Sequence, residues 1–238
     1  MLSSIAIVPS APVMVPELAS GAAAELADLR EAAFTAVGSL PGRWVAVGRG
    51  PADSVVGPGQ TGTFAGYGVD VPIALAPGQS AAPTELPLAA LVTGWLRGRV
   101  NPDAHAEVRM YADEHDADAA IERGRRLRAE IDEVDGPVGV LIVADGVHTL
   151  TQSAPGGYDP DSIPVQAALD DALASGDAAA LTRLPEAVVG RVAFQVLAGL
   201  TEQPRAAKEL YRGAPYGVGY FVGVWLPAGG SEVTGESV

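Results

Sequence analysis

The chain has 238 residues, 48% hydrophobic and 18% charged, which suits a globular protein that buries a substantial core, as one large α/β domain or two small ones, and argues against a disordered chain. Its formal charge of −14 argues against nucleic acid as a partner, because phosphate recognition needs a concentrated basic surface. With no cysteine, disulfides, thiolate metal sites and cysteine nucleophiles are excluded together. No apolar run reaches the ~20 residues of a membrane span, and the amino-terminal stretch has no basic region ahead of its apolar segment. A cytoplasmic protein with no membrane contact is therefore expected.

In chain order, Leu2 to Val8 is predicted as a first strand, followed by the loop Pro9-Ser10-Ala11-Pro12. A helix is expected from about Glu25 to Val37, where Leu26, Leu29, Ala33 and Val37 recur at helical spacing. Arg43 to Gly48 makes a second strand. Residues 50–68 are too rich in glycine and proline for regular structure. Val69 to Leu75 is predicted as a strand, 76–87 as a loop with three prolines, Leu88 to Arg97 as a helix, and Ala106 to Tyr111 as a strand. Asp116 is placed to cap a helix reaching about Glu133, with Ala120, Ile121, Leu127 and Ile131 on its inner side.

The run Val138-Gly-Val-Leu-Ile-Val143 is continuously apolar, as expected of a central strand covered on both faces. Helices are expected near 163–174, 177–183 and 186–200, and a long closing strand over Gly217 to Leu226. The interleaving predicts a single α/β domain over 1–227, with a central, largely parallel or mixed β-sheet flanked by helices on both faces. Residues 228–238 have the polar composition of a flexible tail.

Several motifs resolve to ordinary readings. Gly57-Pro-Gly-Gln-Thr-Gly62-Thr63 imitates the glycine spacing of a phosphate loop, but Thr63 stands where the lysine belongs, so a surface loop is favoured. No Gly-x-Ser-x-Gly elbow exists. Arg123, Arg125, Arg126 and Arg128 lie among Glu122, Glu130, Asp132 and Glu133, mixed charge of the kind found on a solvated helix face. His105 and His115 bracket a strand in an acidic neighbourhood but match no metal-ligand spacing, and are expected as exposed loop residues.

His148 is different. It follows the buried Val138 strand directly, beside Asp145, and ligands in open α/β sheets sit just beyond the carboxyl ends of such strands. On its own it reads equally well as a hydrogen-bonded structural histidine. Tyr216 and Tyr220 in the closing strand are expected to point into the core.

Four segments, in order and spanning nearly the whole chain, resemble the class III extradiol ring-cleavage dioxygenases, in particular the LigB-like catalytic-subunit superfamily that includes Memo-type proteins. They are Ile5 to Leu18 (IAIVPSAPVMVPEL), Val45 to Pro51 (VAVGRGP), Asp145 to Pro160 (beginning DGVHTLT and ending PGGYDP), and Ala214 to Trp225 (APYGVGYFVGVW). The resemblance implies a LigB-like fold in which a ferrous ion is held by two histidines and a glutamate, with open positions for catechol and dioxygen. Here Ser10 falls at the first histidine position and Arg49 at the second. Val188 falls near the glutamate position, with Glu186 two residues away as a weak metal candidate. His148 matches the family's acid–base histidine, which acts on bound substrate and oxygen.

A guanidinium in a ligand position repels a divalent cation and attracts a carboxylate or phosphate, so Arg49 points to an anion-accepting pocket or an internal salt bridge. Three functions follow. In the first, iron is lost, no cofactor is expected, and Ser10, Arg49, Asp145 and Tyr158 surround His148 in a pocket for a small anionic or aromatic molecule. In the second, the protein is an active extradiol-type oxidoreductase that binds Fe(II) through His148, Glu186 and a displaced His105 or His115. In the third, the fold serves as a non-catalytic interaction protein. The resemblance also implies self-association into a homodimer.

Overall fold

A computed structural model of the protein describes residues 1–228, the side chains of Ser20 and Ala22 apart. Most of the sequence expected as a tail, 229–238, lies outside the described residues. The strands are β1 (Leu2–Val8), β2 (Arg43–Gly50), β3 (Ser54–Val56), β4 (Thr61–Thr63), β5 (Pro72–Ala74), β6 (His105–Ala112), β7 (Val138–Val143), β8 (Pro204–Gly213) and β9 (Tyr220–Pro227). The helices are α1 (Pro16–Ala19), α2 (Ala27–Gly38), α3 (Leu88–Val100), α4 (Ala117–Asp132), α5 (Ser162–Ser175), α6 (Ala178–Leu181) and α7 (Arg191–Leu200). None is long and apolar enough to cross a membrane.

Seven strands form one sheet in the order β3-β6-β2-β7-β1-β9-β8, and β4 pairs with β5 in a separate small sheet. The four central strands, β6, β2, β7 and β1, are parallel. An antiparallel β9–β8 hairpin extends one edge and the short antiparallel β3 the other. The α/β class and mixed central sheet are as expected. All six residues of β7 are buried, because the sheet is covered on both faces.

The alternation along β1 shows those two faces. Ala6 and Val8 belong to the core under α2 and α3, whereas Ile5 and Ile7 belong to the core under α4, α5 and α7. On the second face α4 and α7 cross at two glycines. A Cβ on Gly124 would stand 2.1 Å from the Val196 carbonyl oxygen, and one on Gly199 the same distance from that of Ile121. Asp116 caps α4 as expected, accepting from the Ala119 amide at 2.8 Å.

The structure corrects the sequence reading where regular elements are too short or too polar to show periodicity. The glycine-rich 50–68 segment is not irregular throughout: it holds β3, β4 and a 3-10 turn over Phe64–Tyr67. β3 exists because β6 offers it an edge, pairing Ser54 with Met110 and Val56 with Val108. The strand expected over 69–75 shrinks to β5. The unforeseen β8 carries Arg205, Lys208, Glu209 and Arg212, and its register on β9 supplies what its composition does not advertise. The helix expected from 186 starts at Arg191, and the closing strand at Tyr220 rather than Gly217.

Candidate functional site at the carboxyl ends of the parallel strands

Because β1, β2, β6 and β7 are parallel, the segments that follow them emerge on one edge of the sheet. That edge brings together Ser10 after β1, Arg49 as the last residue but one of β2, Asp113 after β6, and Asp145 to His148 after β7. A cavity of about 410 Å³ opens there, lined by Arg49, Asp113, His148, Glu186, Val188 and Arg191, among others.

The loop after β7 is fixed through its backbone. Gly146 and Val147 exchange hydrogen bonds with Gly219, and the Val147 amide donates to Gln166 Oε1 at 2.9 Å. Gln166 in turn donates to Asp170 Oδ1 at 2.8 Å, and burial pushes the Asp170 carboxyl up to about 6. The segment leading into α7 is bound to the same loop: Val189 N donates to Gly146 O, and Gly190 N to Asp145 O at 2.8 Å. These bonds place the start of α7 against the mouth.

His148 is exposed, and its ring makes no hydrogen bond among the described residues. The ring rests over Gly156, where a Cβ would come within 2.7 Å of Nε2 and Cδ2. Arg49 donates to Asp113 Oδ2 at 2.8 Å, both side chains being about two-fifths exposed. It therefore lines the cavity and is salt-bridged at once.

Arg191 was not anticipated. It donates from Nη1 to the His115 carbonyl and to Gln195 Oε1, both at 3.0 Å, and from Nη2 to the Asp113 carbonyl at 3.2 Å. These acceptors are all neutral, so its charge has no direct counterion among the described residues. It is the first residue of the ten-residue α7, whose preceding Gly190 provides no side-chain cap. The positive end of the helix dipole and the Arg191 guanidinium thus lie beside one cavity. A sequence signal existed, since a cation in a first turn opposes the dipole and asks for another reason.

Asp145 lies beneath this mouth. Its Oδ1 accepts from the Ser10 amide at 2.8 Å, so Ser10 contributes through its backbone and does not line the cavity. Asp145 keeps a little accessible surface, yet enough protein surrounds it that desolvation is the largest influence on its carboxyl. That burial pushes the pKa up to about 6, against the Ser10 hydrogen bond and the Arg49 charge, which pull it down. Tyr220 is buried in the core as expected; burial and then the Asp145 charge raise its hydroxyl pKa. Tyr216 is half-buried, packed against that core, with its hydroxyl 3.4 Å from Glu25.

Tyr158 is a correction. It is 50% exposed and does not line the cavity, because the loop after His148 turns its side chain to solvent. Glu186 does reach the mouth. His105 begins β6 on the opposite edge, so it is a strand residue and not a loop one, and His115 is half-buried with Nε2 2.7 Å from Asp53 Oδ1. Neither joins His148. Among the described residues no group of three His, Asp or Glu side chains is arranged to hold a metal ion.

A larger groove, about 660 Å³, lies at the amino ends of the strands against α4. The Arg109 charge there is answered by Glu107 at 2.6 Å and Glu130 at 3.0 Å. The smaller cavity is the better candidate, because position at the carboxyl ends of parallel strands and an unanswered charge coincide in it.

No protein-family model matches the chain, and no curated protein matches it. Eighteen chains of known structure do match. One is an uncharacterized protein from Escherichia coli K12, 14% identical, with a TM-score of 0.56, the match covering 94% of this chain and 99% of that one. At that identity the likeness shows the α/β fold alone.

Proposed function

We propose that this chain is a LigB-like protein in which the iron site has become a pocket for a small anion, received by Arg191 and Arg49 with His148 as donor or acid–base group. The observation that supports this reading most directly is the Arg191 guanidinium. It is held at the mouth by neutral acceptors, beside Arg49 and the uncapped start of α7. Asp113 already occupies Arg49 in the manner an external carboxylate would, so a ligand exchanges with Asp113 at that guanidinium.

A ferrous ion does not fit these residues. Of the donors at the mouth, His148, Asp113 and Glu186, Asp113 is committed to Arg49, and two guanidiniums face the space a dication would take. No step through a metal is assigned.

The test is a titration of the full chain with oxalate, followed by the NMR shifts of the His148 ring. Saturable shifts that are lost in Arg191→Gln and weakened about tenfold in Arg49→Gln, with folding retained, are expected from the loss of charge-assisted bonds. Stoichiometric Fe²⁺ retention, together with catechol-dependent oxygen uptake that disappears in His148→Ala, would overturn the proposal in favour of an extradiol-type oxidoreductase.

A further inference from the structure

The small β4–β5 sheet plays no part in the strand-end site, yet it walls a cavity of about 500 Å³ against the last turns of α3. Arg97, on that wall, is 6% exposed. Its Nε donates to the Ala74 carbonyl at 2.8 Å, and its Nη1 to the carbonyls of Pro102 and Ala104. All three acceptors are neutral. Among the described residues Arg97 forms no ion pair, and its Nη2 donates to nothing. Burial lowers the pKa of this guanidinium, opposed by the charge of Asp103. A buried charge without a contacting counterion is costly unless something else compensates it.

Two further features share the cavity. Trp95, 4% exposed, has a buried indole N–H with no acceptor. Arg99, two residues on and so on another side of α3, borders the cavity and is engaged at 3.0 Å by Glu17, with both side chains substantially exposed. Not one described residue lining the cavity is acidic, although the chain carries 29 acidic residues against 15 basic ones. The remaining walls include the apolar side chains of Val71, Ile73, Ala81 and Pro83.

We propose that this cavity is a second ligand site, separate from the strand-end pocket, for a small carboxylate with a compact apolar body. Its carboxylate is received by Arg97, and its body lies against Val71 and Ile73. A compact inorganic anion leaves the apolar walls unused, and a neutral molecule leaves Arg97 unanswered.

Benzoate is a suitable probe and Trp95 a built-in reporter. Titrating the full chain should give a saturable change in tryptophan fluorescence, with benzamide and inorganic phosphate each binding at least tenfold more weakly. Arg97→Gln risks the fold, because Arg97 ties three backbone segments together. Gly98→Leu is therefore the decisive variant: an added Cβ there meets no atom within 4 Å, and the longer side chain takes up part of the space that Gly98 lines. It should remain folded by circular dichroism and lose at least tenfold in benzoate affinity. Trp95→Phe should abolish the fluorescence change, whereas Arg49→Gln, at the other site, should leave it intact. The proposal is overturned if benzoate produces no change, if benzamide or phosphate binds as tightly, if the response survives Gly98→Leu, if Trp95→Phe keeps the signal, or if Arg49→Gln removes it.

Discussion

Replacing Asp145 by Asn should make the protein more stable at neutral pH, although Asp145 lies directly beneath the candidate site. Burial raises its carboxyl pKa from 3.8 to about 6 in the folded chain. Between these values the unfolded chain has released the proton and the folded chain still holds it, so stability falls as pH rises through the window. At 1.36 kcal/mol per pH unit the ionised carboxylate costs the native state about 3 kcal/mol above pH ~6. Asn keeps an oxygen to accept from the Ser10 amide but gives up attraction to Arg49, leaving a net gain of about 2 kcal/mol at pH ~7. Urea unfolding of both proteins at pH ~5 and ~7.5 measures it, and the variant's advantage should grow by about 1.4 kcal/mol between the two. Asp170 is also pushed up to about 6, so both proteins keep a residual slope and the difference isolates Asp145. A variant less stable than the parent at pH ~7.5, or an unchanging difference across the range, would refute the claim that Asp145 is ionised against its surroundings.

The same titration bears on ligand binding: oxalate affinity at the strand-end pocket should rise as pH falls through about 6 and Asp145 loses its charge, and Asp145→Asn should flatten that rise in calorimetry. Gly199→Ala puts a methyl 2.1 Å from the Ile121 carbonyl oxygen, so the α4–α7 crossing must open, at a cost of about 3 kcal/mol visible as a lowered Tm. An unchanged Tm would mean that the helices separate freely. Asp116→Ala removes the cap of α4 and should cost about 1 kcal/mol in urea unfolding, largely restored by Asn. Gly156→Ala should displace the His148 ring and weaken its NMR response to oxalate while the Tm stays near that of the parent, since the contact lies on an exposed loop.

Much of the fold is legible in the sequence wherever burial imposes a pattern. β7 is a continuous apolar run, and β1 is one from Ile5 onward, because both faces of the sheet are covered, and α4 announces itself through its Asp116 cap and apolar stripe. β3 and β8 are not legible, because an edge strand owes its existence to a neighbour's hydrogen bonds and not to its own side chains. At the site, His148 is legible as the residue that follows a buried strand, and Arg49 through the resemblance that places it at a ligand position. Arg191 was missed because its guanidinium reaches the mouth only through folding back onto Asp113 and His115 carbonyls. Tyr158 failed for the converse reason: its nearness to His148 in sequence carries no information about where a loop side chain turns.

By itself, then, the chain's order of residues determined an α/β sheet with His148, Arg49 and Asp145 on one edge, because parallel strands must deliver their carboxyl ends together. Only the tertiary structure decided the charges there. Ion pairing, burial and a helix terminus act through space, so the Arg49–Asp113 pair, the lone charge of Arg191 and the raised pKa of Asp145 depend on distances that the sequence does not carry.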